Sequence, residues 1–243
     1  MCASEMERMD VAICVRHEQV IRNTTPYTVC GKPHVYYGLK ALRESGVAQR
    51  LLFYSGSEVE RAVAEELGYT VLHLEERDWS RVQFSPCLSR EVALALGMAP
   101  DDPNPLSFVI PRMRSIIRMD CNLVLLRSET IRKLHRLSRQ GREKVYGASP
   151  LAHGVMLGLE DEKMFTLLED WTQIYYRKEH KPNVNCFFME LRVESPEYVV
   201  PGALGMHYMI LPESERLYLN GPSDAVLADA YLSKFPEHFD VQE

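Results

Sequence analysis

The stretch from Val11 to Leu74 constrains the fold more than any other part of this chain. An apolar run ending in arginine, Val11-Ala-Ile-Cys-Val-Arg16, leads through a polar loop and Gly31-Lys32-Pro33 into a helix-like segment, then a second apolar run, Leu51-Leu-Phe-Tyr-Ser55. After Pro33, apolar residues recur at Val35, Leu39, Ala41 and Leu42. Lys40, Arg43 and Glu44 fall on the other side and Gly46 sits as a C-cap, which predicts an amphipathic helix over 34–45. Ser57 precedes a second helical pattern with Val59, Ala62, Val63 and Leu67 on one face and Gly68 at its end, and Thr70-Val-Leu-His-Leu74 reads as a third strand. Strand-length apolar runs, each followed by a helical pattern, are what a parallel sheet with crossover helices requires.

Beyond this unit the pattern loosens. Residues 75–112 are the least regular, with three prolines between Met98 and Pro105 marking a surface loop and Ser89–Leu96 a short helix capped by Ser89. Asn122-Leu-Val-Leu-Leu126 reads as a central strand, followed by a helix over roughly Ser128–Gln140 with a basic, solvated outer face. In the C-terminal half, Val155–Leu159, Phe187–Val193, Tyr208–Leu211 and Leu217–Leu219 are strand-like. A last helix follows, capped by Ser223, packed through Ala225, Val226, Leu227, Ala230 and Leu232, and ended by Pro236. The expected architecture is a three-layer α/β sandwich whose sheet becomes mixed toward the C-terminal end.

At 243 residues, one domain spanning 1–243 is expected, with a core of ordinary size. A net charge of -6 argues against a duplex nucleic-acid binder, which carries a basic face. The six cysteines lie far apart with no CxxC spacing, which favours reduced, buried thiols over disulfides or zinc. No apolar run approaches membrane-spanning length, and the first ten residues lack a signal-peptide core, so a cytoplasmic protein with no membrane partner is expected.

Taken in order, these pieces resemble the acylneuraminate cytidylyltransferase family, the enzymes that make CMP-activated acidic sugars. Val11–Arg16 stands at the family's first strand and arginine, Arg22-Asn23 at its basic residue and asparagine, and Gly31-Lys32-Pro33 at its Gly-Lys-Pro turn. Asp120–Leu126 resembles the strand before its Gln-Pro-Thr-Ser-Pro-Leu loop, and Tyr176-Arg177 with Asn185 its Tyr-Arg-Glu-Asn-Gly stretch. The segments 208–215 and 217–224 occupy the place of its closing strand, its metal-binding Asp-x-Asp and its last helix. The resemblance implies an α/β/α nucleotide-diphospho-sugar transferase-like (Rossmann-like) fold with a nucleotide-binding half over about 9–150 and a sugar-binding, dimerising half over about 151–243. It further implies transfer of CMP from CTP to an acidic sugar with release of pyrophosphate, Mg²⁺ or Mn²⁺ as cofactor, and a homodimer whose contact could include Tyr198–Leu204.

Carried over by position, Arg16 and Arg22 would act in catalysis, Arg16, Asn23 and Ser55 would hold the nucleotide, and Tyr176, Arg177 and Asn185 the sugar. Asp120 and Asp224 are the acids left for a metal. Each has a plainer alternative. Arg16 would contact phosphates or cap a neighbouring carboxylate. Arg22 and Asn23 would line the nucleotide or only shape a turn, and Asp120 would ligate a cation or form a local turn. Arg177, Lys178 and the adjacent tyrosines would take a carboxylate bidentately or sit in a subunit contact.

The departures from the family fall on the chemistry. His17-Glu18-Gln19 stands where the family has a Gly-Gly-Ser phosphate loop, and Glu18 would repel a triphosphate unless it faces away or is itself a ligand. The two metal-site aspartates fall at Tyr218 and Asn220, neither offering an ionised carboxylate. Two functions therefore stand side by side: a diverged nucleotidyltransferase, or a catalytically impaired homologue that binds a nucleotide or sugar, or serves as a partner subunit, without turnover.

Overall fold

In the computed structural model seven residues form β1 (Met9–Val15), and the last six of them are fully or almost fully buried. The structure describes residues 8–15, 26–54, 57–72, 90–140, 144–150, 165–167, 172–174, 186–195, 206–219 and 221–239. A small hairpin, β2 (Thr28–Val29) and β3 (Lys32–Pro33), leads into the first crossover helix. Its two-residue loop, Cys30-Gly31, has φ of 45° and 75°, the positive values that a type I′ turn needs at both central positions. The expected first helix is α1 (Val35–Ser45), closed by Gly46 at φ 64°. Then follow β4 (Arg50–Tyr54), α2 (Glu58–Glu66) with Ser57 at its N-cap position, and β5 (Thr70–Leu72).

Two short helices, α3 (Arg90–Ala95) and α4 (Pro105–Val109), precede β6 (Met113–Asp120). This strand corrects the sequence reading, which put the central strand at Asn122–Leu126. The apolar run instead forms turns after β6, with Leu123, Val124, Leu125 and Leu126 buried. β6 escapes a hydrophobicity reading because Arg114, Arg118 and Asp120 interrupt it, yet Arg118 and Asp120 are buried. The helix expected after residue 128 is α5 (Ser128–Ser138).

The second half supplies β7 (Lys144–Pro150), a separate hairpin of β8 (Phe165–Leu167) and β9 (Thr172–Ile174), then β10 (Cys186–Glu194) and β11 (Met206–Ile210). The strands expected at Phe187–Val193 and Tyr208–Leu211 are thus β10 and β11, whereas Val155–Leu159 lies outside the described residues. Leu217–Leu219 contributes a single bridge, Tyr218 to Leu123, rather than a strand. The last helix is α6 (Pro222–Lys234), with Gly221 rather than Ser223 at the N-cap and Pro222 in its first turn, a position where proline's missing N–H costs nothing.

Among the described residues, the main sheet has seven strands in the order β11-β7-β10-β6-β1-β4-β5. β5, β4, β1 and β6 are mutually parallel, β10 runs antiparallel to both β6 and β7, and β11 is parallel to β7. The expected mixed sheet is therefore present. Alternate residues of β1 feed opposite cores, as a strand covered on both faces requires. Ala12 and Cys14 pack with Leu39, Leu42 and Leu134 from α1 and α5, while Val11 and Ile13 pack with Val92 and Val109 from α3 and α4. A third cluster seats α6, through Ala225, Ala228 and Leu232, on Val124, Leu125 and the β2–β3 hairpin.

Gly147 in β7 shows how closely the C-terminal strands pack. A Cβ there would lie 3.0 Å from Leu211 Cδ2 and 3.3 Å from Leu191 Cδ2. Gly147→Val should therefore destabilise the fold by about 1–3 kcal/mol through overpacking, measured by urea denaturation, and an unchanged midpoint would refute that contact.

Candidate active site at the switch point of the sheet

The chain runs from β1 outward to β4 and β5, then returns to the other side of β1 to form β6, so the strand order reverses between β1 and β6. In open α/β sheets, ligands bind in the crevice outside the carboxyl ends of the strands at such a point. Here the two ends are the register partners Val15 and Asp120, and the Cys121 N–H donates to the Val15 carbonyl at 3.0 Å.

Asp120 is completely buried, so its carboxylate needs donors. The Asn122 backbone N–H donates to Oδ1 at 2.9 Å, closing the turn after β6, and the Tyr218 hydroxyl donates to Oδ2 at 2.6 Å. The Asn122 side chain extends the network. Its Nδ2 donates to the Tyr218 oxygen at 3.4 Å, and its Oδ1 lies 3.2 Å from His34 Nε2. His34 Nδ1 in turn lies 3.3 Å from the Tyr27 carbonyl, so each ring nitrogen of this buried histidine faces an oxygen acceptor.

Three distant segments meet here for separate local reasons. The β2–β3 hairpin delivers His34 to the start of α1, where its backbone N–H donates to Tyr27 O at 2.8 Å. The turn after β6 presents Asn122. The segment before α6 delivers Tyr218, pinned by its bridge to Leu123 and by Leu219 N–H donating to Asn122 O at 3.0 Å. Just upstream, Glu215 is fully buried and accepts from the Arg127 N–H at 3.0 Å, Arg127 Nε at 2.8 Å and Thr130 Oγ1 at 2.9 Å. It thereby ties this segment to the N-terminus of α5, where a negative charge is favoured.

The opposite end of β1 is tied as well. Asp10 accepts from Arg114 Nε and Nη2 at 3.2 and 2.7 Å and from Ser115 Oγ at 2.7 Å, with His135 Nε2 3.6 Å away. Burial would raise this carboxyl, but the His135 ring, the Arg114 guanidinium and the Ser115 hydroxyl outweigh it and hold it well below the usual carboxylate range. At the carboxyl end, burial and the Cys14 thiol push the Cys121 thiol upward, and the side chain packs in the core.

Of the residues singled out in the sequence, Asp120 and Asp224 are described. Asp120 is at the centre of the network, whereas Asp224 sits in the first turn of α6 and accepts the Gly221 N–H at 3.1 Å. Arg16, Arg22, Asn23, Ser55, Tyr176, Arg177 and Asn185, like residues 17–19 and 198–204, lie outside the described residues. Lys32, in the Gly-Lys-Pro turn, is exposed with its Nζ 5.0 Å from the centre of the Tyr36 ring. Nothing in the sequence marks His34 or Asn122 as a site residue: His34 follows Pro33, and Asn122 opens the apolar run 122–126.

The metal implied by the family resemblance does not fit the described residues. Among them no group of three His, Cys, Asp or Glu is placed to hold a cation. A hard cation takes oxygen ligands from several groups, and the side chain at Asp120 Oδ2 is the neutral Tyr218 phenol rather than a second carboxylate.

No protein-family model matches the chain, and no curated protein matches its sequence. Solved structures do. The 4-diphosphocytidyl-2C-methyl-D-erythritol synthase of Anaerococcus prevotii DSM 20548 aligns with a TM-score of 0.57 at 10% identity, over 93% of this chain and 99% of that one. Another 4-diphosphocytidyl-2C-methyl-D-erythritol synthase aligns with a TM-score of 0.57 at 11% identity over the same shares. At that identity the likeness speaks to the backbone, and together with the strand order it shows that this chain has the nucleotide-diphospho-sugar transferase-like fold.

Proposed function

We propose that this chain binds CTP at the switch point and transfers its CMP group to an acidic sugar or related small molecule, releasing pyrophosphate. The observation that carries the reading is the buried polar network on Asp120 at the carboxyl ends of β1 and β6, in a fold whose two neighbours above are named for a diphosphocytidyl product. In such a transfer an acceptor oxygen attacks the α-phosphorus, the bond to the bridging oxygen of the β-phosphate breaks, and pyrophosphate leaves with the electron pair. Arg16 and Arg22 supply cationic charge to the phosphates, Asn23 and Ser55 complete the nucleotide end, and Tyr176, Arg177 and Asn185 receive the acceptor, Arg177 matching a carboxylate bidentately. The same reading takes the protein as a cytoplasmic homodimer.

A ligand that prefers the folded state raises the melting temperature. CTP at about a hundredfold its Kd should raise Tm by about 5–10 °C, more than ATP, GTP or UTP, and Arg16→Ala should abolish the shift. Pyrophosphate release with CTP and a panel of sugar acids then reads turnover. A panel in which no nucleotide moves Tm would overturn the proposal. The second reading, binding without turnover, is favoured by a hydroxyl, that of Tyr218, lying at Asp120 where the family resemblance sets a metal-site aspartate, and a CTP shift without pyrophosphate release would select it.

A further inference from the structure

We infer that the Tyr218 hydroxyl takes the place of a divalent cation at Asp120, so that ligand binding at the switch point does not require a metal. The inference rests on the reading of that point as a nucleotide site. A buried carboxylate beside a bound phosphate chain needs a positive or hydrogen-donating partner, and a cation bridging two acids is one solution. This chain uses another. Tyr218 stands where the resemblance sets one of the two metal-site aspartates, and its O–H donates to Asp120 Oδ2 at 2.6 Å.

The phenol is itself held in place, which separates an engaged lock from a chance contact. Asn122 Nδ2 donates to its oxygen at 3.4 Å, and the backbone on either side is fixed by the Leu123 bridge and the Leu219 N–H bond to Asn122 O. His34 completes the chain by orienting the Asn122 amide from Oδ1 at 3.2 Å. Donors therefore run in one direction, from His34 through Asn122 and Tyr218 to Asp120. A cation at Asp120 would find one carboxylate and a neutral, hydrogen-bonded phenol beside it, a poorer set for a hard ion than a pair of acids.

Two measurements on the full chain test the inference. Mn²⁺ is titrated without nucleotide and its free EPR signal followed; no saturable uptake is expected in the wild type, while Tyr218→Asp, which pairs two carboxylates, should take up one Mn²⁺ and gain about 5–10 °C in Tm at about a hundredfold the metal Kd. Separately, the CTP-induced Tm shift of the wild type should be the same in excess Mg²⁺ and in EDTA. Uptake of one Mn²⁺ by the wild type that Asp120→Asn abolishes would overturn the inference, as would a CTP shift lost in EDTA or a folded Tyr218→Asp that still ignores Mn²⁺. If CTP moves Tm under neither condition, the nucleotide reading fails, while Mn²⁺ uptake still decides what occupies Asp120.

Discussion

Replacing Glu215 by alanine should lower stability by about 3 kcal/mol or more and Tm by about 6–12 °C. The carboxylate is fully buried, and three donors converge on it: the Arg127 N–H, Arg127 Nε and the Thr130 hydroxyl. Removing it strands a charged guanidinium and a buried hydroxyl, and strips the N-terminus of α5 of its anionic partner. Arg127 keeps 28% side-chain exposure, which lets part of its charge reach water and sets the effect toward the lower end for a broken buried pair. Glu215→Gln preserves the shape and one acceptor, so it should fall between wild type and Glu215→Ala. Denaturant unfolding and calorimetry measure both; a Glu215→Ala loss below about 0.5 kcal/mol would show that the contacts contribute nothing net. Because Tyr218 follows Glu215 by three residues, the same variant should also loosen the Asp120 network.

Asp10 should make the protein acid-labile in a defined window. Its carboxyl is held well below the range of an exposed aspartate, so the unfolded chain takes up a proton at a higher pH than the folded one does. The stabilisation is therefore fully present above the unfolded value of about 3.9, and is lost progressively as pH falls below about 4 toward the folded-state value. Asp10→Asn should destabilise at neutral pH by about 1–3 kcal/mol, because Arg114 and Ser115 lose a charged acceptor. The gap between wild type and Asp10→Asn should then narrow between about pH 4 and pH 2. Urea titrations across that range test it, and a gap independent of pH would mean that the ionised carboxylate is not what the two donors hold.

Much of the fold was legible because its first half repeats a simple rule. Val11–Val15, Leu51–Tyr54 and Thr70–Leu72 are short apolar runs separated by helical periodicity, and they became β1, β4 and β5 with α1 and α2 between them. The illegible part lay where charge enters the core. The Met113–Asp120 segment reads as polar because Arg114, Arg118 and Asp120 interrupt it, and Asn122–Leu126 reads as a strand because nothing does. Only long-range pairing reverses the two: Arg114 and Ser115 both donate to Asp10 of β1, and the apolar run packs in turns against α6. Hydrophobic periodicity reports burial and not which partner a charge will find.

The site divides the same way. Asp120 could be singled out as an acid, and Tyr218 as a tyrosine standing where the family resemblance sets one, from local sequence. Neither fact says that they touch. By itself the sequence determined an α/β chain with a parallel opening unit and a mixed C-terminal end, because strand and helix periodicities are local properties of the backbone. Only the tertiary structure decided that His34, Asn122 and Tyr218, from three separate segments, converge on one buried carboxylate. A buried polar group must find its donors wherever the fold brings them, and sequence distance does not limit that search.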